Sequence, residues 1–371
     1  MIFLIVTSVP HIIEENKFYS YSPYVREMNV WIKNVEKVIV LAPTESVNKS
    51  AIHLKYEHEN IEFVSIPSIN LLSFFSILQT IVKVPIILFT LFNYFKKADH
   101  IHLRCPGNIG LLGLFVQILF PKKKKTAKYA GNWDPKSRQP LSYKIQQFIL
   151  SNTFLTKNIK VLVYGKWKNS TQNIYPFFTA TYSELQKENN VIRSLNGDVR
   201  MIFVGALLKG KGALYAIQLI QRLHIENCNV KLSIYGEGNQ RAEIENYITK
   251  NDLNEQIQLF GNRNSEELVE AYKRSHFVLL PSQSEGWPKV IAEGMFWGCV
   301  PIVSKVSCVP YMLDEGKRGV LLDLNFEKDI IEIKNILNQN VMYQKMAQES
   351  INWSREFTLE KFEAEIKLFL Q

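Results

Sequence analysis

Short apolar runs alternate with longer amphipathic stretches along most of the chain. Ile2–Val6 reads as a strand, Tyr24–Lys33 as a helix, and Val38–Leu41 as a second strand. His100–Leu103, Ala127–Ala130 and Val161–Tyr164 follow as further short runs. After residue 200 the pattern repeats. Met201–Gly205, Val230–Tyr235, Ile257–Phe260, Phe277–Leu280 and Val300–Val303 read as strands, with helices predicted at Ala213–Leu223 and Arg241–Thr249. Continuous apolar strands separated by helices imply parallel sheets covered on both faces. Two doubly wound α/β domains in tandem are therefore expected, joined near the polar stretch Asn196–Asp198. The tail from Met342 to Leu370 reads as helices carrying Trp353 and Phe357.

One segment breaks the alternation. Ile69 to Phe95 is apolar enough in length to cross a bilayer, but Gln79, Lys83, Pro85 and Asn93 interrupt it. Proline removes a helical N–H and clashes with the preceding turn, so two shorter helices broken at Pro85 are expected over a sheet. Contact with a membrane interface is the second reading.

The chain has 371 residues, a length that fits two domains better than one. Its ordinary composition, 46% hydrophobic and 21% charged, excludes a disordered, collagenous or disulfide-stapled chain. Charge is uneven. Lys+Arg exceeds Asp+Glu by 44 to 35 overall, yet residues 1–200 hold 25 basic and 13 acidic residues against 19 and 22 in the remainder. The first half should be drawn to something anionic: a nucleic acid, a membrane surface or a phosphorylated substrate. The run Pro121-Lys122-Lys123-Lys124-Lys125 reads as a solvated loop or as a site of attraction to anionic lipid. No aromatic-basic interleaving accompanies it, which argues against nucleic acid. Cys105, Cys228, Cys299 and Cys308 form no CxxC or Cys/His cluster, so reduced thiols in a cytoplasmic protein are expected and a zinc site is not. Met1–Thr7 has no basic segment before it and reads as a first buried strand, not a signal peptide.

The strongest chemical signal follows the strand Phe277–Leu280. Pro281-Ser282-Gln283-Ser284-Glu285-Gly286-Trp287-Pro288 leads into a helix whose first residue is predicted to be Pro288 and which Gly298 ends. A helix starting at a strand's carboxyl edge lies in the usual ligand crevice of an open α/β sheet. Its N–H groups and positive dipole end suit a diphosphate. Glu285 precedes the helix, and Glu293 lies inside it, about 7.5 Å along the axis from Pro288. Two acceptors flanking an anion site can grip hydroxyls on either side of a diphosphate, the layout of a nucleotide-sugar.

Glu285 and Glu293, with seven residues between them, resemble the signature of glycosyltransferase family 4. Four more motifs resemble that family in order: Phe203-Val204-Gly205 with Lys211-Gly212, Tyr235-Gly236-Glu237-Gly238, Leu259-Phe260-Gly261-Asn262, and Gly298-Cys299-Val300-Pro301-Ile302-Val303. The resemblance implies the GT-B fold, two Rossmann-like domains facing an interdomain cleft. Residues 1–195 would bind the acceptor and 196–345 the nucleotide-sugar, while the helices of 346–371 cross back to the first domain. It implies that Glu285 contacts the donor sugar, Glu293 the ribose, and Lys211 the diphosphate, offsetting charge on the leaving group. Glu285 and Lys211 are thus the expected catalytic pair. Gly205, Gly236, Glu237, Asn262, Ser284, Gly286 and Trp287 complete the expected donor set. On the acceptor side, Asn132, Asp134, Arg104 and Asn108 are the candidates.

Three departures stand out. Ala206 occupies the position of the family's arginine, which removes one of two phosphate-binding cations; Lys209 or Lys289 can substitute. A lost cation at developing negative charge costs several kcal/mol, comparable to a lost oxyanion donor. Trp287-Pro288 replaces Phe-Gly, so a backbone phosphate contact there must come from Gly286 or Trp287. Gly131-Asn132-Trp133-Asp134 follows Ala127–Ala130 without the family's histidine; His102 and His11 are the alternatives.

The implied activity is retaining transfer from a nucleotide-diphosphate-sugar to a glycan or polyprenyl-diphosphate-linked acceptor, in synthesis of a bacterial surface polysaccharide such as capsule or lipopolysaccharide. No cofactor or metal is expected, since Lys211 and a helix tip take the metal's place. The implied location is cytoplasmic, with peripheral contact on the inner membrane face. Ala206 and the missing histidine leave a second reading open: a catalytically impaired nucleotide-sugar-binding partner subunit of the same fold. A nucleotide-sugar epimerase is a weaker third.

Overall fold

The computed structural model describes residues 1–50, 52–69, 74–188 and 192–371, with side chains outside 74–79. Its backbone divides into two compact units, Met1–Phe178 with Phe362–Gln371, and Thr179–Lys361.

In the first unit seven parallel strands form one sheet. These are β1 (Ile2–Val6), β2 (Lys37–Ala42), β3 (Ile61–Ser65), β4 (His100–Cys105), β5 (Lys124–Tyr129), β6 (Ile159–Tyr164) and β7 (Ile174–Phe177), in the order β7-β6-β5-β4-β1-β2-β3. β1 is central because Phe3, Leu4, Ile5 and Val6 are wholly buried, and only a strand covered on both faces has use for such a run. A small antiparallel sheet of His11–Glu14, Lys17–Tyr21 and His53–Lys55 was not anticipated.

Two expectations fail here. Pro85 does not split its segment. One helix runs from Phe74 to Lys97 through the proline. Ile87, Leu91 and Phe95, four residues apart, are fully buried, so tertiary packing holds the half beyond Pro85 in line despite its missing N–H. Residues 70–73 of the same apolar segment lie outside the described residues. Nor is the lysine run a solvated loop. Lys124 and Lys125 belong to β5. The Lys125 ammonium is buried and donates to Phe120 O at 2.7 Å, and burial lowers its pKa to about 8. Lys123 donates to Ala98 O at 2.6 Å and Lys96 O at 3.0 Å, at the carboxyl end of the long helix, where cations are favoured. Two lysines of the run therefore satisfy backbone carbonyls.

The second unit holds six parallel strands: β8 (Val199–Val204), β9 (Val230–Tyr235), β10 (Ile257–Gly261), β11 (Phe277–Leu280), β12 (Val300–Ser304) and β13 (Val320–Leu322), in the order β10-β9-β8-β11-β12-β13. The strand order reverses between β8 and β11, the switch point at which open α/β sheets bind ligands. Residues 179–188 and 192–195 belong to this unit rather than to the first. Tyr182 packs on Phe296 and Trp297, Arg193 donates to Lys273 O at 2.6 Å, and Leu195 N donates to Asn340 Oδ1 at 2.9 Å. Of the terminal helices, Asn340–Ser354 stays with the second unit, and only Phe362–Gln371 joins the first. There Phe362 and Phe369 pack on Phe177, with ring centroids 5.3 and 5.6 Å away.

Candidate active site

The loops after β8, β9 and β11 converge at the switch point, and glycine makes the convergence possible. A Cβ on Gly236 would stand 1.9 Å from Gly205 O, and one on Gly212 2.1 Å from Pro281 O. Both glycines also have positive φ, so no other residue fits either position without moving backbone. Leu207 N donates to Glu237 O at 2.9 Å and Gln283 N to Gly210 O at 2.9 Å, which fastens the three loops to one another.

This frame brings Lys211 to Glu285. Lys211 ends a single helical turn, Lys209–Lys211, and its ammonium lies 2.7 Å from Glu285 Oε1. The Glu285 side chain is 8% exposed and that of Lys211 35%. Ser282, wholly buried, donates to the same Oε1 at 2.6 Å. Sequence reasoning passed over Ser282; its position three residues before Glu285 was the available signal. A nearly buried carboxylate held by one hydroxyl and one half-exposed cation is fixed in orientation. Gly286 O is fixed in turn by Cys308 Sγ at 3.0 Å and Ser307 Oγ at 3.3 Å. Burial pushes the Cys308 thiol up to about 12, so it stays protonated.

The signature helix is Lys289–Phe296, with Pro288 one position outside it as the N-cap. Ile291 N and Ala292 N donate to Pro288 O, at 3.0 and 3.4 Å, which closes the first turn on the residue that follows the Glu285 loop. Gly298, at φ 83°, closes the other end.

Glu293 belongs to a different set of contacts. Thr181 Oγ1 donates to its Oε1 at 2.9 Å, and the phenol of Tyr272, wholly buried, to its Oε2 at 3.3 Å. Burial first, and the Glu293 charge second, raise the Tyr272 pKa well above its ordinary value. Lys289 lines the same small cleft as Glu293 and Thr181. The two glutamates of the signature therefore make separate hydrogen-bond sets.

The other expected donor residues scatter in character. Trp287 is 7% exposed, stacks on Trp353 at 5.9 Å and meets Phe357 edge-on at 5.7 Å, so its ring is core. The Glu237 carboxylate pairs with Arg241. Asn262 and Ser284 are exposed at their loop ends, as are Ala206 and Lys209. Gly205 N donates to Tyr235 O at 2.9 Å, so Gly205 helps form the frame.

In the first unit most polar candidates are spent internally. Arg104 pairs with the buried Glu27 at 3.0 Å. Asn132 Oδ1 accepts from Asp134 N at 2.9 Å, and Asp134 Oδ1 from Lys136 N at 2.8 Å, so both shape their own loop. Asn108 begins the helix Asn108–Val116 and is half-buried. His102 is buried on β4 beside His100, and both rings contact Thr126 Oγ1, at 2.9 and 3.0 Å. Burial lowers each to a pKa of about 3. His11 contacts Tyr56 OH at 2.9 Å and is lowered by burial to about 4. Both alternatives to the missing histidine are thus neutral core residues. Among the described residues, no three His, Cys, Asp or Glu side chains gather as a metal site, and the four cysteines are unpaired.

Comparison with known proteins gives a consistent picture. Residues 186–353 match the family model of glycosyl transferases group 1. The chain is 28% identical over 210 residues to an uncharacterized glycosyltransferase of Methanocaldococcus jannaschii, covering 56% of this chain and 57% of that one. It is 24% identical over 194 residues to the amylovoran biosynthesis glycosyltransferase AmsK of Erwinia amylovora, covering 44% and 48%. The chain thus spans about half the length of these curated relatives. Among solved structures, Anabaena HepE in complex with UDP and glucose superposes with a TM-score of 0.67 at 13% identity, covering 100% of this chain and 99% of that one. The fold is GT-B.

Proposed function

We propose that this chain, which carries a glycosyl transferases group 1 region on a GT-B fold, is a glycosyltransferase using a nucleotide-diphosphate-sugar donor. The observation that carries the reading is the Lys211–Glu285–Ser282 cluster beside the tip of the signature helix. In this reading the diphosphate lies against the helix tip and the Lys211 ammonium, which stabilise the charge that grows on the leaving phosphate. Glu285 turns its carboxylate to the sugar hydroxyls. Retention of configuration follows if the departing phosphate takes the acceptor's proton. That route also suits a first unit in which His11 and His102, the alternatives to the missing histidine, are buried and neutral.

Each carboxylate oxygen of Glu293 already accepts one bond, from Thr181 and from Tyr272, and can accept a second. Its role in this reading is to hold segment 179–182 on the signature helix, with the ribose as a second partner when donor is bound.

The acceptor is a glycan or a lipid-diphosphate-linked sugar of surface polysaccharide synthesis. The relative AmsK, named for amylovoran biosynthesis, supports that setting. No helix among the described residues is long and apolar enough to cross a membrane. The long helix does expose Ile81, Val82, Ile86 and Phe89, at 61, 72, 57 and 69%, with Lys96 and Lys97 exposed at its end. An apolar stripe with flanking cations suits shallow insertion into an anionic bilayer face. Co-sedimentation with vesicles of anionic lipid should therefore fall sharply for Phe89→Asp. Equal sedimentation of the variant, or none by the wild type, removes the membrane part.

Nucleotide release from a panel of UDP- and GDP-sugars, with wild type and Glu285→Gln, tests the enzymatic reading. Release by the wild type that the variant loses supports an enzyme. Donor binding without release or transfer would favour the binding-subunit reading that Ala206 motivates.

A further inference from the structure

The first unit carries a concave site that no residue of the Lys211–Glu285 cluster enters. Trp133, Gln147, Phe148 and Trp167 line a cavity of about 210 Å³ between the helix Leu141–Leu150 and the loop that returns from β6 to β7. Its aromatic walls are held in place. Trp133, 6% exposed, meets the Tyr129 ring edge-on at 4.8 Å, and Trp167 Nε1 donates to Tyr164 O at 2.8 Å. Phe148 stands at the rim, 67% exposed, although its helix has a core to pack on. Asn132 and Asp134, by turning their side chains into their own loop, hold Trp133 between them at this cavity.

The polar groups of the site are under-used. Gln147 gives Nε2 to Asn132 O at 3.3 Å and keeps Oε1 open. Among the described residues, Ser151 Oγ, Lys168 Nζ and the Asn169 amide have no protein partner, and all three residues line the cavity. Aromatic faces beside unfilled amides and a hydroxyl suit a pyranose. The ring's C–H face lies on the aromatic surface while its hydroxyls both donate and accept. A lipid tail would leave the amides unsatisfied. A nucleic-acid strand calls for more cations than Lys168, the single cation lining the cavity.

From this we infer that the Trp133–Phe148–Trp167 cavity is a carbohydrate-binding subsite, taking a sugar residue of the acceptor glycan away from the reacting end. Its role as an acceptor subsite rests on the glycosyltransferase reading; the sugar binding itself does not. The test exposes the full chain to an array of immobilised neutral-hexose, N-acetylhexosamine and uronic-acid oligosaccharides, then titrates the best binder in solution. Phe148→Ser and Asn169→Gly suit it, because both side chains are exposed and Asn169 already has φ 61°, which glycine adopts freely. The wild type should bind at least one series. Phe148→Ser should weaken binding tenfold or more and Asn169→Gly about threefold, while Glu285→Gln binds as wild type. Absence of binding to every series, or binding that both variants retain in full, overturns the inference. Nucleotide release measured on the same proteins separates the two claims. Release without glycan binding sinks the subsite alone, and glycan binding without release sinks the enzymatic reading alone.

Discussion

The two units build the same kind of sheet and treat its polar side chains in opposite ways. In the first, Arg104 is neutralised by Glu27, His100 and His102 share Thr126, and Lys125 and Lys128 are buried on carbonyl oxygens. In the second, glycine loops leave Lys211 half-exposed beside Glu285 at the strand switch point. A polar residue near a strand end is thus weak evidence of a site by itself. What distinguishes the second unit is a charged pair oriented by its surroundings yet reachable from solvent.

The largest test of this contrast is to damage the frame. Gly236→Ala drives a methyl group into Gly205 O, so it should cost more than about 3 kcal/mol of unfolding free energy and abolish donor binding. Chemical denaturation with a nucleotide titration reads both. Next, Lys211→Ala and Glu285→Gln should each lower donor turnover by about 10² to 10³ at nearly unchanged stability, as for loss of one charge-stabilising donor. A drop confined to KM would instead mean that the pair only binds.

The first unit should be the acid-sensitive one. His100 and His102 are neutral in the fold with pKa values of about 3, while the unfolded chain takes up protons near 6.5. Between those limits the unfolded state binds more protons, so stability falls as pH falls from about 6.5 towards 3. The difference amounts to about 2 kcal/mol per histidine at pH 5. Melting temperatures from pH 7 to 5 should decline less steeply for His102→Gln than for wild type. A smaller effect is expected from Tyr272→Phe, which removes one bond to Glu293 and should cost about 1 kcal/mol with donor affinity little altered.

Most strand positions were legible because each depends on local pattern: an apolar run, a glycine turn, then a helix start; the pairing of Lys211 with Glu285 came from the family resemblance and not from pattern. The separation of Glu293 from Glu285 was not legible. The axial distance of about 7.5 Å ignored rotation, and five residues turn the side chain about 140° around the helix from Pro288, towards Thr181 and Tyr272. The fate of the lysine run was hidden for another reason. Nothing local tells that Phe120 and Ala98 would present carbonyls needing donors. Pro85 misled because propensity is local, whereas Ile87, Leu91 and Phe95 are held by a distant sheet. Trp133 was hard to single out between two polar neighbours that looked more chemical.

Calorimetric titration of UDP- and GDP-sugars onto wild type and Lys211→Ala tests the central claim most directly. The account predicts that one nucleotide-sugar binds the wild type with measurable affinity and loses at least tenfold in the variant. Binding of equal strength to both proteins would contradict it, because the diphosphate would then lie somewhere other than the helix tip beside Lys211.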